Sequence, residues 1–196
     1  MLIQMAFASF VGDIVIPDGL FPEQRDTRED KIEGIIIVGD SRTVGMSEYY
    51  DIQGDNVFYI AGVGKGYKWF VDEALNEVAD IKSTYIEYDK WNIVCNLGIN
   101  DLANAYKYSN LYQNLLENEW KCDKIYFMSV NPVNEDRCKT VSNKNICRFN
   151  QKMSDIDMEY INTYDMLVDK IESLDGLHYT KGTYEEIYEY MMEIIE

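Results

Sequence analysis

Histidine is nearly absent from this chain, whose 196 residues contain only His178. Imidazole is the side chain that ordinarily titrates closest to neutral pH, so proton transfer near pH 7 has one natural candidate base here. His178 follows an acidic residue by three positions, in Asp175-Gly176-Leu177-His178. A lone histidine is more often a surface or satisfied core residue, and the rest of the sequence must decide between these interpretations.

Basic residues are also scarce. The chain has 18 Lys and Arg against 35 Asp and Glu, a formal net charge of −17. Such a surface repels phosphate backbones and anionic membranes, and no basic patch interrupts it, so no nucleic-acid partner is expected. With 46% apolar and 13% aromatic residues, the chain is too hydrophobic for disorder and has the length of one packed domain.

The four cysteines contain no C-x-x-C pair. With one histidine available, this excludes a structural zinc site of the usual kind, and we expect no metal and no cofactor. Cys138 and Cys147 flank a polar stretch, where they could form a local disulfide in an oxidising compartment or remain free thiols. No run of 18 apolar residues occurs, so no membrane-spanning segment is predicted.

The first 33 residues differ in composition from the rest. Residues 1–16 are mostly apolar without a basic start, although Ala6-Phe7-Ala8 has the small-x-small form of a signal-peptidase site. They fit either the remnant of a signal or an N-terminal strand, and we favour the strand. Residues 17–33 read as an acidic connector, so the domain proper is predicted to span 34–196. A secreted or cell-surface location is favoured over a cytoplasmic one.

From residue 34 onward, short apolar runs alternate with amphipathic stretches, which is typical of βαβ units around a parallel sheet. The strands are predicted at 35–38, 57–61, 92–97, 124–130 and 160–164. The helices are predicted at 43–50, 67–79, 102–120 and 143–157, with a last helix whose capping box is Thr183 and Glu186. Right-handed crossovers make this an open three-layer α/β fold with helices on both faces of the sheet.

Polar and glycine residues follow the predicted strands where ligands bind in such sheets, beyond the carboxyl ends. A serine needs a base to remove its proton, a carboxylate to orient that base, and donors for the developing oxyanion. Ser41, His178 and Asp175 can fill the first three roles, while a glycine N–H and the Asn100 amide can supply the donors. Taken singly, each residue is weak evidence for catalysis, because Gly-Asp-Ser is also a favourable turn sequence and Asn100-Asp101 could cap a helix.

Four motifs occur in order along the chain. They are Gly39-Asp40-Ser41, a glycine after the second strand, Gly98-Ile99-Asn100-Asp101, and Asp175-Gly176-Leu177-His178. In this order they resemble the SGNH hydrolases, also called GDSL-type esterases and lipases. The resemblance covers all but about the first 33 residues. It implies a flavodoxin-like three-layer α/β/α sandwich with a five-stranded parallel sheet.

The resemblance also implies a role for each motif residue. Ser41 would be the nucleophile, His178 the base and Asp175 its partner. The Ser41 N–H, the Gly64 N–H and the Asn100 amide would form the oxyanion hole. Gly62 is the alternative to Gly64, which we prefer because a helix begins just after it.

The chain departs from the family pattern at Arg42, where many members have leucine. We expect an exposed Arg42 to touch an anionic or carbonyl group of the substrate, or to form an ion pair at the helix start. Tyr67 and Tyr179 are further predicted substrate contacts because of their nearness in sequence to Gly64 and His178. Trp69 fits the hydrophobic core at least as well as a binding surface.

These observations favour a serine esterase that hydrolyses esters of small acyl groups, of which acetyl is the preferred prediction, on a glycan or another small molecule. The sequence contains no long apolar lid segment of the kind that would indicate a lipase. An O-acyltransferase using the same acyl-serine is the enzymatic alternative, and a non-catalytic carbohydrate-binding module is the alternative of another class. The oligomeric state stays open.

Overall fold

The computed structural model describes residues 33–49 and 56–195. The predicted N-terminal segment therefore lies outside the described residues, apart from Glu33. Five strands form one parallel sheet in the order β2-β1-β3-β4-β5. They are β1 (Glu33–Gly39), β2 (Val57–Ala61), β3 (Lys90–Asn96), β4 (Lys124–Met128) and β5 (Glu159–Ile161).

The strands form where continuous apolar runs could be buried on both faces. In β1, Ile36, Ile37 and Val38 have no exposed surface. The chain passes from β1 to β2 on one side and then crosses to β3 on the other side of β1. Loops leaving the carboxyl ends of β1 and β3 therefore diverge, which opens a crevice between them.

Helices connect the strands. They are α1 (Ser41–Tyr49), α2 (Tyr67–Trp69), α3 (Leu75–Thr84), α4 (Ala105–Glu117), α5 (Asn143–Ser154), α6 (Thr163–Leu167) and α7 (Lys181–Ile195). A π-helical turn, Phe70–Ala74, joins α2 to α3, and a 3₁₀ turn, Leu102–Asn104, precedes α4. The predicted helix over 67–79 thus continues to Thr84 with a wider turn inside it.

The hydrophobic core has two parts, one on each face of the sheet. Alternate strand residues such as Ile36, Ile93 and Phe127 pack with side chains from the segment between Tyr67 and Ser154. The intervening residues, such as Ile37 and Val94, pack with α1 and α7. This period-2 alternation produces three layers, and the predicted three-layer α/β/α sandwich is confirmed.

Two local predictions fail. The strand predicted at 160–164 ends at Ile161, and α6 begins at Thr163. The capping box at Thr183 and Glu186 is wrong, because α7 begins at Lys181, after Thr180, and encloses Thr183, which is 6% exposed. Of the two alternatives left open for Cys138 and Cys147, the structure has the free thiols: all four cysteines are free, with Cys138 buried and Cys147 exposed. Among the described residues, no helix is long and apolar enough to cross a membrane, and no three acidic, Cys or His side chains cluster to hold a metal ion.

Candidate active site

A hydrogen-bonded row of three side chains lies at the carboxyl edge of the sheet. Ser41 opens α1 immediately after β1, and its Oγ lies 2.9 Å from Nε2 of His178. The Nδ1 of His178 lies 2.8 Å from Oδ2 of Asp175. Residues 137 positions apart are thus joined in the order that serine activation requires.

The turn that carries His178 is held by its own aspartate. Oδ1 of Asp175 accepts the backbone N–H groups of Leu177 at 2.8 Å and His178 at 2.7 Å. Gly176 has φ +90°, which favours glycine, and its carbonyl accepts the N–H of Asn134. Asp175 uses one oxygen to shape the turn and the other to orient the imidazole.

The same contacts keep Asp175 ionised. Partial burial acts to raise the pKa of this carboxyl, but the His178 backbone N–H, the His178 ring and the Leu177 N–H outweigh it. The net effect lowers the pKa of Asp175 to about 2. A carboxylate therefore faces the imidazole at any pH near neutrality.

The glycine loop after β2 distinguishes the two candidate donors. The N–H of Gly62 is engaged, since it donates to the carbonyl of Gly39 at 3.3 Å. Gly64 has φ +71°, and its N–H has no acceptor within residues 33–49 and 56–195. The same holds for the N–H of Ser41. Of the two glycines, Gly64 is therefore the one whose N–H has no acceptor among the described residues.

Asn100 lies exposed at the end of the loop after β3 and faces the glycine loop. Its Nδ2 donates one hydrogen to the carbonyl of Lys65 at 2.7 Å. An amide nitrogen carries two hydrogens, so a second remains for a ligand. Lys65 follows Gly64 in the glycine loop, so the hydrogen bond to Lys65 fixes Asn100 relative to Gly64.

Asp101 is a structural residue that sequence reasoning treated only as a possible cap for the following helix. Its Oδ2 instead accepts the N–H of Tyr67 at 2.7 Å, across the crevice at the start of α2. Oδ1 accepts the buried Tyr108 hydroxyl at 3.0 Å, and Oδ2 also accepts from Asn104 at 3.1 Å. Asp101 thereby ties the glycine loop to the Asn100 loop.

The sequence matches no family model and no curated protein. Solved structures do match. An SGNH hydrolase from Slackia heliotrinireducens, described as putative, is 12% identical with a TM-score of 0.65, covering 85% of this chain and 100% of that one. The lipase/acylhydrolase from Enterococcus faecalis is 17% identical with a TM-score of 0.56, covering 84% and 95%.

A third similar structure is the catalytic domain of peptidoglycan O-acetyltransferase A from Streptococcus pneumoniae. It is 15% identical, with a TM-score of 0.59, and the match covers 83% of this chain and 92% of that domain. The chain has the SGNH hydrolase fold. The resemblance inferred from four short motifs is thus confirmed at the level of the fold.

Within this SGNH-fold site, Arg42 is not the exposed substrate contact that was predicted. It is 3% exposed, and its guanidinium donates to three backbone carbonyls: Asn131 at 2.7 Å, Leu177 at 3.0 Å and Pro132 at 3.3 Å. Among the residues that the structure describes, it forms no ion pair at the helix start. The side chain turns inward because these carbonyls converge there, and it braces the loop that carries His178.

Tyr179 is also displaced from its predicted role. It has no exposed surface, its hydroxyl donates to the Pro132 carbonyl at 2.5 Å, and its ring lies 5.0 Å from the Arg42 guanidinium carbon. Tyr67, by contrast, is half-buried and lines a depression beside Gly64 and Asn100. Trp69 is 9% exposed and belongs to the core.

Asp40, the residue before Ser41, is buried, and among the described residues its side chain makes no hydrogen bond with Ser41, His178 or Asp175. One of its oxygens accepts the Arg42 N–H at 3.0 Å. Burial raises the pKa of Asp40 to about 6, although the Arg42 N–H and the charges of Arg42 and His178 oppose the rise. Asp40 thus shapes the turn that presents Ser41.

Proposed function

We propose that the protein is a serine esterase that acts through an acyl-Ser41 intermediate. The observation that carries this is the unbroken row Ser41–His178–Asp175, with distances of 2.9 and 2.8 Å between the bonded atoms. The similar solved structures include hydrolases and an O-acetyltransferase domain on the same fold. Binding alone gives no reason for this arrangement, which argues against a carbohydrate-binding module.

In the first step the Ser41 Oγ attacks the ester carbonyl carbon while Nε2 of His178 takes its proton. The carbonyl oxygen becomes an oxyanion that accepts from the N–H groups of Ser41 and Gly64 and from Asn100. Each such donor contributes a factor of about 10²–10³ in kcat. The carbon–oxygen bond to the alcohol then breaks, and the imidazolium proton passes to the leaving oxygen.

In the second step water attacks the acyl-serine, with His178 again as base, and the carboxylic acid leaves. The His178 and Asp175 side chains are 36% and 55% exposed, so water reaches them, which favours hydrolysis over transfer. The residues next to the nucleophile and to Asn100, namely Asp40, Arg42 and Ile99, are buried. The sequence contains no long apolar lid segment of the kind typical of lipases, and we therefore propose a small acyl group such as acetyl.

The test is hydrolysis of p-nitrophenyl acetate by the wild type, Ser41→Ala and His178→Ala. Each variant should lose at least about 10³-fold in kcat/KM, since nucleophile and base act as a unit. Equal rates in wild type and Ser41→Ala would overturn the proposal. For the transferase alternative, acetyl donor is incubated with and without glycan acceptors. Accumulation of acetylated glycan with negligible hydrolysis would replace esterase by acyltransferase.

A further inference from the structure

A shallow cleft includes the Ser41–His178 pair and is separate from the depression that Asn100 lines. Residues 41, 44, 45 and 48 share one face of α1 and form its floor, with the first at the reacting end and the last about 10 Å along the helix. We call it the apolar cleft. Besides Ser41 and His178, its lining includes Val44, Gly45, Glu48, Val63 and Leu174, together with the buried residues Tyr179 and Tyr184.

The two walls of the apolar cleft carry exposed hydrophobic side chains. Val63, from the loop after β2, is 75% exposed, and Leu174, just before the His178 turn, is 63% exposed. Within the described residues, only Ile86 and Tyr106 are comparably exposed among the large hydrophobic side chains. Apolar groups left facing water on both sides of a reactive pair are typical of a ligand-binding groove.

The chemistry of the acyl-transfer step decides which half of the ester lies there. The leaving oxygen must come within hydrogen-bond reach of Nε2 of His178, because that nitrogen protonates it. The carbonyl oxygen must point to Gly64 and Asn100, which line a different depression. His178 lines the apolar cleft, so the alcohol extends from its oxygen into that cleft.

We infer that the apolar cleft binds the alcohol half of the substrate, and that the enzyme prefers esters of apolar alcohols to esters of sugars. This rests on the proposed function. The step itself is balanced as above: the ester carbon–oxygen bond breaks, Ser41 keeps the acyl group, and the alcohol leaves with the proton from His178.

The experiment uses a series of acetate esters with n-alkyl alcohols from ethyl to hexyl. The acidity of the alcohol hardly changes along this series, so the chemistry stays constant while apolar area grows. A methylene that is fully removed from water is worth about fourfold in affinity, and an open cleft that covers half of it about twofold. We expect kcat/KM of the wild type to rise about twofold per methylene, and an acetylated methyl xyloside to be slower than hexyl acetate.

Substitutions in the two walls of the apolar cleft test whether these walls cause the rise of kcat/KM with alcohol length. Val63→Ser with Leu174→Gln should flatten the rise, so that hexyl acetate loses roughly tenfold and ethyl acetate much less. Both side chains are exposed, so the fold should tolerate the changes. The matched control is Ile86→Ser, which removes a side chain that is 83% exposed and lies outside the cleft. It should leave the whole series unchanged.

The possible failures are distinct. A flat series, faster hydrolysis of the acetylated sugar, or a slope unchanged in the double variant would overturn the inference while Ser41-dependent hydrolysis keeps the proposed function. A slope that appears when the acyl chain of an ethyl ester is lengthened instead would place the acyl group in the cleft and also overturn it. Absence of Ser41-dependent hydrolysis with every ester would overturn both.

Discussion

Replacing Arg42 by methionine should destabilise the protein and slow the chemical step together. Methionine is unbranched and apolar but shorter and without a donor, so three carbonyls, two of them buried, lose the bonds that Arg42 gives them at 2.7, 3.0 and 3.3 Å. A hydrogen bond from a charged donor contributes about 1.5–3 kcal/mol, and the longest of these contributes least. Removing the cost of burying a charge offsets part of the loss. We expect a net fall of about 2–4 kcal/mol in the free energy of unfolding.

The assay is urea unfolding at pH 7, with Arg42→Lys as the matched variant. Lysine keeps the charge but lacks the planar fork that reaches three acceptors, so it should recover less than half of the loss. Because one acceptor is the carbonyl of Leu177, next to His178, kcat should also fall by at least about tenfold with a smaller change in KM. A change in stability within about 0.5 kcal/mol, the range of ordinary surface substitutions, would refute the bracing role.

Three further predictions concern the acidic residues around Ser41. Asp175→Asn should lower kcat by roughly 10²–10⁴-fold, less than His178→Ala, because the aspartate orients the base without accepting its proton; equal losses would contradict this. Asp101→Asn should weaken the hydrogen bond from the Tyr67 N–H and so make the Asn100 loop less firmly held. We expect kcat to fall about tenfold with little change in KM. An unchanged kcat in steady-state kinetics would contradict this. Burial raises the pKa of Asp40 to about 6 from 3.8, so its ionisation costs the folded state about 3 kcal/mol and stability falls as pH rises from about 4 to 6. Unfolding curves of Asp40→Asn should lack that part of the fall, and identical pH dependence in both proteins would contradict it.

The sheet could be predicted from the sequence because its signals are local. The run 35–38 is apolar throughout, and a strand buried on both faces needs no other information. Strand β2 was predicted with its observed limits, Val57–Ala61. By contrast, α6 was missed because five residues are too few to show helical periodicity. The start of α7 was misplaced because Thr180 and Thr183 are equally plausible capping residues in sequence.

The destinations of long side chains were beyond sequence reasoning. The sequence predicts an exposed Arg42 because arginine is rarely buried. The residues around Arg42 give no sign of its three carbonyl acceptors, which lie 89, 90 and 135 residues away in the chain. Tyr179 is buried by the same cluster, since its hydroxyl shares the Pro132 carbonyl with Arg42. Such acceptors exist only after β4 and the last loop have come together at the edge of the sheet.

These failures explain how the site is built. The residues beside Ser41 in sequence, Asp40 and Arg42, are 1% and 3% exposed and direct their polar groups to backbone. The groups that face Ser41 in space come from distant loops, as His178 does, and remain accessible. The buried neighbours Asp40 and Arg42 fix the position of Ser41. No further group has to pack over Ser41 to hold it, so the base and the donors can stay accessible to substrate and water. The stability of the loops and the chemistry of the rim are therefore carried by different residues, although they alternate along the same short motifs.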